Sequence, residues 1–298
     1  MILAVASGKG GTGKTTVAVS LALSLLEESD PPVLVDCDVE AANAGLFLQV
    51  DLDEQKPVSL LIPEVDFAKC TYCGRCAEVC RYHAITVFGE KVMVFPQLCH
   101  GCGSCSLNCP EGAIREVPVQ VGIIEHGQAN GMPFGQGRLD IGSVMSVPII
   151  KQLKNWMLED ADPQQTVILD APPGSTCPVV ETMRGVDYVL MVTEPTPYGL
   201  HDLRLAAEVA RDELGLPVGV VINRDGVGDD GVDQYCREQG IPILLRIPQD
   251  RRIAEAYSRG EPLIQALPAY RLRMRAMYAA IQRQMASSEA VSVVGRGA

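Results

Sequence analysis

The chain has 298 residues, 47% of them hydrophobic, which suffices for one large α/β domain with a small module beside it. Its formal charge of −12 excludes a broad nucleic-acid surface, which needs clustered Lys and Arg to displace counterions. No apolar run reaches the ~18 residues of a membrane span, and the apolar start carries no basic leader or cleavage site, so a cytoplasmic protein is expected, with neither nucleic acid nor membrane as partner. Eleven cysteines in such a compartment read as metal ligands before they read as disulfides.

The apolar run Ile2 to Ala6 reads as a buried strand, and Val17 to Leu26 as the start of a helix. Between them lies Gly8-Lys9-Gly10-Gly11-Thr12-Gly13-Lys14-Thr15-Thr16, which fits the P-loop pattern G-x-x-x-x-G-K-S/T in the strand-to-helix context that pattern needs. Its glycines let successive N–H groups turn toward phosphate oxygens, and the helix N-terminus adds partial positive charge. Lys14 is expected at the β- and γ-phosphates, with the Thr15 hydroxyl on Mg²⁺.

The second lysine, Lys9, makes this loop resemble the deviant P-loop of the MinD/ParA/Mrp family, which includes the nitrogenase iron protein. That resemblance implies a homodimer with ATP at its interface, in which Lys9 crosses to the partner's nucleotide as an arginine finger does. Taken alone, the residue is equally a solvated loop lysine. After the Pro31-Pro32 turn, Val33 to Asp36 reads as a second buried strand, followed by Asp38 and Asn43. Carboxylates at the carboxyl end of a parallel strand face the ligand crevice. The segment is similar to the family's first switch, which implies that Asp38 orients the attacking water, Asp36 supports Mg²⁺ or the water network, and Asn43 closes the switch. Without the upstream loop, Asp38 reads as a capping aspartate.

From about Pro63 the pattern changes to Cys70-x2-Cys73-x2-Cys76-x3-Cys80, then Cys99-x2-Cys102-x2-Cys105-x3-Cys109-Pro110. Every cysteine of the first run has a counterpart 29 residues later, and Ala84-Ile85 recurs as Ala113-Ile114, so the segment is an internal duplication. It resembles the bacterial two-cluster ferredoxin, and a structural-zinc reading accounts for C-x2-C pairs but not for the full run twice over. The resemblance implies two [4Fe–4S] clusters, one on Cys70, Cys73, Cys76 and Cys109, the other on Cys99, Cys102, Cys105 and Cys80. Arg81 stands where such runs usually carry proline, while Pro110 keeps it. His83 and His100 lie beside ligands and read as surface residues.

The module is expected to end near Glu116, with Val119 to Glu125 resuming a strand, so it is an insertion: 1–62 and 117–298 form the ATPase domain, 63–116 the ferredoxin-like domain. Gly127 to Arg138, rich in glycine and without periodicity, reads as a mobile loop. Ser143 to Leu158 reads as a helix and Thr166 to Asp170 as a strand. Asp170-Ala171-Pro172-Pro173-Gly174 resembles the family's second switch, which implies Asp170 in the Mg²⁺ shell and the Gly174 N–H at the γ-phosphate. Cys177 stands near a position that holds a bridging-cluster cysteine in the nitrogenase iron protein; it reads first as a buried free thiol and second as an intersubunit ligand, while Cys37 and Cys236 read as packing residues.

Tyr188 to Thr193, Pro217 to Ile222 and Ile241 to Ile247 read as strands, and Gly199 to Leu214 as a helix. By the resemblance, Asn223 reads the adenine edge and Pro248 lies beside the base. A final helix presents Met274, Met277, Tyr278, Ile281 and Met285 on one face, which suits packing on the sheet, with a frayed tail after Ser287. The expected fold is a P-loop NTPase of the α/β class, its mostly parallel sheet flanked by helices, with an inserted small α+β ferredoxin-like domain. The implied function is Mg·ATP hydrolysis coupled to the cluster module, serving electron transfer to a redox partner. The alternatives are iron–sulfur or metal-centre assembly, and positional switching of a protein cargo.

Overall fold

The computed structural model describes residues 1–26 and 31–294, with side chains through residue 287. At its centre, β1 (Ile2–Ala6) lies between β8 (Val167–Asp170) and β9 (Tyr188–Thr193) and is parallel to both. The sheet extends through β10 (Val218–Asp225) and β11 (Ile243–Pro248) on one side. On the other side stand β2 (Val33–Asp36), β7 (Met132–Leu139), β6 (Ile114–Ala129) and β3 (Val50–Val65). The seven strands from β11 to β7 run parallel, whereas β6 and β3 are antiparallel to their neighbours.

Strands covered on both faces read as continuous apolar runs, and β1 shows why. Leu3 and Val5 enter a core under α1 (Lys14–Leu25), α9 (Leu263–Ala266) and α10 (Tyr270–Val294), while Ala4 and Ala6 face the opposite core. That second core lies under α4 (Val147–Glu159), α5 (Cys177–Met183), α6 (Pro197–Glu208) and α7 (Gly231–Glu238). Met274, Met277, Tyr278 and Ile281 of α10 are buried as the pattern predicts. The backbone of α10 stays helical to Val294, so residues 288–294 are not the frayed tail expected after Ser287.

One segment corrects the sequence reading, and a second is a strand that the reading does not assign. Gly127 to Arg138 is no mobile loop but a β6–β7 hairpin, turned by Asn130 (φ 52°) and Gly131 (φ 84°), the two positive values a type I′ turn requires. Its glycines serve packing: a Cβ on Gly135 would stand 2.5 Å from Met157 Sδ, and one on Gly137 would stand 2.9 Å from Ile149 Cγ2. Only bare backbone lets α4 lie that close. Val50–Val65, which carries Pro57 and Pro63 and shows no strand periodicity, forms β3; as an edge strand it has an open side on which the missing proline donors cost little.

The pairing of β3 with β6 continues from Val50–Ala129 to Val65–Ile114, whereas β6 leaves β7 beyond Gly122. The excess length is a two-stranded ribbon, and residues 66–113 sit at its tip. They form α2 (Arg75–Val79), the hairpin β4 (Ile85–Phe88) and β5 (Lys91–Val94), and α3 (Ser104–Leu107). The 29-residue repeat is also a backbone repeat: left-handed residues recur as Tyr72 and Gly101, Gly74 and Gly103, His83 and Gly112. The N–H groups of Ala84 and Ala113 each reach a sulfur, Cys80 Sγ and Cys109 Sγ, at 3.3 Å.

Candidate nucleotide cleft and cysteine cavities

Gly13 ends the loop in a left-handed conformation (φ 95°), and α1 starts with neither a side-chain cap nor an acidic residue in its first turn. The first N–H groups of α1 therefore keep their capacity for an anion. Gly8 lies against α6, where a Cβ would stand 2.1 Å from Asp202 O. Gly10, Gly11, Gly13, Lys14, Thr15 and Thr16 line a cleft of about 1400 Å³ together with Asp38, Asn43, Asn223 and Pro248. The opposite wall comes from α8 (Arg251–Ser258), whose Ile253 and Tyr257 add apolar surface that the sequence reading missed.

At the floor, Asp36 and Asp170 are both fully buried. Asp36 accepts the N–H groups of Asp38 (3.0 Å), Asn43 (2.9 Å) and Ala44 (2.9 Å). Both its oxygens hold the following loop, an anchoring role beside the Mg²⁺ role expected of Asp36. Neither oxygen of Asp170 has a hydrogen-bond partner among the described residues. Burial, then the neighbouring Asp36 charge, raise the Asp170 carboxyl to about 8, while Lys14 and the Thr15 hydroxyl pull the other way. A buried carboxylate without a partner, beside a lysine and a threonine hydroxyl, fits a divalent cation. Asp38 is half-buried; burial raises its carboxyl and Lys14 opposes the rise. Thr12 Oγ1 and Asn43 Oδ1 are likewise buried without partners among the described residues.

Three expected contacts are directed elsewhere. The Gly174 N–H donates to Ser7 O at 2.9 Å rather than facing the cleft. Asn223 Nδ2 donates to Thr12 O at 2.7 Å and its Oδ1 accepts the Arg224 N–H at 2.9 Å, so this amide ties β10 to the P-loop instead of presenting a free edge to a base. Lys9 Nζ lies 3.2 Å from Glu194 Oε2, and Arg224 Nη1 lies 2.8 Å from Glu194 Oε1. Glu194 and Arg224 carry no motif of their own; the terminal position of each on a parallel strand is the available signal.

Residues 170–174 lead into α5, which opens on Cys177, exposed rather than buried as expected. Its far end is capped by buried Lys154 of α4, whose Nζ donates to the carbonyls of Glu181 (2.7 Å), Thr182 (2.9 Å) and Arg184 (2.8 Å). Two residues on, Trp156 meets the ribbon strands: Lys56 Nζ lies 3.5 Å from the ring centroid and the His126 ring lies 5.4 Å away. One helix thus touches both the far end of α5 and the strands that continue to residues 66–113. Cys37 and Cys236 are buried, and burial pushes both thiols up, Cys236 to about 11.

At the ribbon tip, Cys70, Cys73, Cys76 and Cys109 line one cavity of about 360 Å³. Cys80, Cys99, Cys102 and Cys105 line a second of about 370 Å³. Each cavity draws three cysteines from one run and the fourth from the other, and all eight thiols are free. Among the described residues no three His, Cys, Asp or Glu side chains converge closely enough to hold a single ion. Four thiols around a cavity suit a larger sulfur-ligated centre than one tetrahedral zinc, whose Zn–S bonds are about 2.3 Å. His100 is exposed, as expected, and stacks on Tyr82 (centroids 3.6 Å apart), and both rings line the second cavity. His83 is exposed.

Comparisons with known proteins agree with this architecture. An uncharacterized protein of Methanocaldococcus jannaschii is 31% identical over 265 residues, covering 89% of this chain and 91% of the relative. An iron-sulfur cluster carrier protein of Pyrococcus horikoshii is 23% identical, covering 88% and 78%. The septum site-determining protein MinD of Pyrococcus horikoshii, solved with Mg-ADP, shares the fold with a TM-score of 0.57 at 20% identity, covering 93% of this chain and 92% of that one. Residues 3–263 match the CobQ/CobB/MinD/ParA nucleotide binding domain. With its P-loop at the head of α1 and a parallel sheet behind it, the chain belongs to that family.

Proposed function

We propose that the chain is a Mg·ATP-dependent ATPase that closes as a homodimer over nucleotide and gates two [4Fe–4S] clusters for electron transfer to a redox partner. The reading is carried by one observation: two four-cysteine cavities sit at the tip of a ribbon whose strands belong to the sheet of the nucleotide cleft. In this reading the P-loop N–H groups and Lys14 hold the triphosphate, Thr15 and Asp170 hold Mg²⁺, and Asp38 orients the water that attacks the γ-phosphorus, releasing ADP and phosphate. Lys9 of one copy reaches the phosphates of the other. Pro248, Ile253 and Tyr257 form the wall for the base. Cys70, Cys73, Cys76 and Cys109 hold one cluster, and Cys99, Cys102, Cys105 and Cys80 the other, and when bound these clusters supply one-electron oxidation and reduction.

Phosphate release would free the Gly174 loop, α5 would move with it, and Lys154 would carry the shift into α4 and the ribbon. A cluster-assembly role is the second reading, favoured by the similarity to proteins named iron-sulfur cluster carriers. Anaerobic purification tests the first: about eight iron and eight sulfide per chain, retained through repeated ATP turnover, with Mg-dependent hydrolysis lost in Lys14→Ala, is expected. Transfer of the iron to an apo-ferredoxin during turnover would replace the carrier reading with assembly.

A further inference from the structure

Glu194 follows directly on β9 and is 6% exposed, yet both its oxygens face cations. Oε2 takes Lys9 and Oε1 takes Arg224, whose Nη2 also reaches Gly11 O at 3.5 Å. Arg224 is held in a left-handed conformation (φ 55°) and lines the nucleotide cleft. One desolvated carboxylate therefore joins the second lysine of the P-loop to an arginine of the neighbouring strand end.

The two ends of the Lys9 pair are unequally free. The turn that carries Glu194 is walled by backbone: a Cβ on Gly199 would stand 2.3 Å from Glu194 O, and one on Gly228 would stand 1.8 Å from Pro195 O. The Thr193 hydroxyl donates to Gly199 O at 2.9 Å and Asp229 N–H to Pro195 O at 3.0 Å, closing the same turn. The Lys9 side chain is 32% exposed, against 8% for Glu194. When the pair opens, the lysine moves. A buried carboxylate stripped of its only cation is strongly unfavourable, but here Arg224 stays on the other oxygen, so departure of Lys9 leaves a charge that is still paired.

We propose that Glu194 is a positioning residue that holds Lys9 within its own subunit until a second, triphosphate-loaded copy offers phosphate oxygens in its place, with Arg224 neutralising the carboxylate after the exchange. The proposal rests on the reading above in which two copies close over nucleotide. It makes the Lys9–Glu194 pair a threshold for closure: the phosphates of the partner must outcompete a carboxylate already in contact. A terminal phosphate adds oxygens and charge that a diphosphate lacks, so the threshold discriminates ATP from ADP.

The test is sedimentation of the full chain with Mg²⁺ and adenylyl-imidodiphosphate, or with ADP. Glu194→Gln keeps the shape and removes the charge; its dimer dissociation constant with the analogue is expected about tenfold below wild type, the scale of the two partly exposed ion pairs, one per subunit, that closure breaks. A dimer with ADP, absent in wild type, is expected as well. Lys9→Ala should lose the dimer, and adding Glu194→Gln to it should restore nothing, because Arg224 is freed equally in both backgrounds. Should Gln perturb folding in thermal melts, Glu194→Asp, which withdraws the carboxylate by one methylene, is expected to shift the constant in the same direction. No tightening in either variant while Lys9→Ala still loses the dimer would overturn this proposal alone. Dimers in Lys9→Ala as strong as wild type, or none in wild type, would overturn the dimer reading and this proposal with it.

Discussion

Asp36 and Asp170 stand opposite one another in register at the ends of neighbouring strands, both fully buried, yet three N–H groups converge on the first and none on the second. The asymmetry separates them: Asp36 anchors the loop that follows it, and Asp170 has no hydrogen-bond partner among the described residues. Because the folded protein holds the Asp170 carboxyl near 8 against 3.8 in the unfolded chain, the folded state binds the extra proton between those values. This group's contribution to stability without Mg·nucleotide should therefore fall as pH rises from about 4 to about 8. Mg·ATP affinity should rise over the upper part of that window, as the cation displaces the proton. Asp170→Asn is expected to remove this pH dependence, to melt higher than wild type at pH 8 without ligand, and to bind Mg·nucleotide at least tenfold more weakly (about 1.4 kcal/mol). Melting curves across pH, with and without Mg·ADP, measure both.

Lys154 of α4 holds the far end of α5 through three carbonyls. Lys154→Met keeps most of the buried stem and removes the donors, so a loss of about 2–4 kcal/mol is expected in denaturant unfolding. Trp156, the single tryptophan of the chain, sits under Lys56 on the sheet-bound part of β3 that runs on into the ribbon, and reports on the same path. Its emission should shift when wild type binds the ATP analogue and should not shift in Lys154→Met that binds the analogue normally. An equal shift in both would remove Lys154 from the path.

The crossed cysteine sets make a quantitative forecast by pairs of substitutions. If each cavity holds one cluster, Cys70→Ser with Cys109→Ser strikes one centre, and about four irons per chain remain. Cys70→Ser with Cys80→Ser strikes both, and almost none remain. Iron analysis of the two double variants, purified without air, distinguishes the crossed sets from sets confined to each run, for which the outcomes exchange.

The local chemistry of the chain is legible because it is contiguous. Gly8 to Thr16 states its own turn and helix start, and the two cysteine runs state their own repeat, which the backbone follows at Tyr72 and Gly101 or His83 and Gly112. What the sequence hides acts through space. Gly135 and Gly137 look like loop glycines until α4 lies against them, although Asn130-Gly131 alone announces the hairpin turn. Val50–Val65 is a strand because of a partner far along the chain, and its prolines argue against it locally. Glu194 carries no motif, since its meaning lies in Lys9 and Arg224, which approach it from other elements.

The central claim, that the nucleotide cleft and the cysteine module act as one device, is tested most directly by redox titration under electron paramagnetic resonance. The anaerobically purified protein is titrated alone, with Mg·ADP and with Mg·adenylyl-imidodiphosphate, beside Lys9→Ala and Lys154→Met. The account predicts a change in midpoint potential or line shape with the triphosphate analogue that both variants abolish. Superimposable titrations in all three nucleotide states would contradict it.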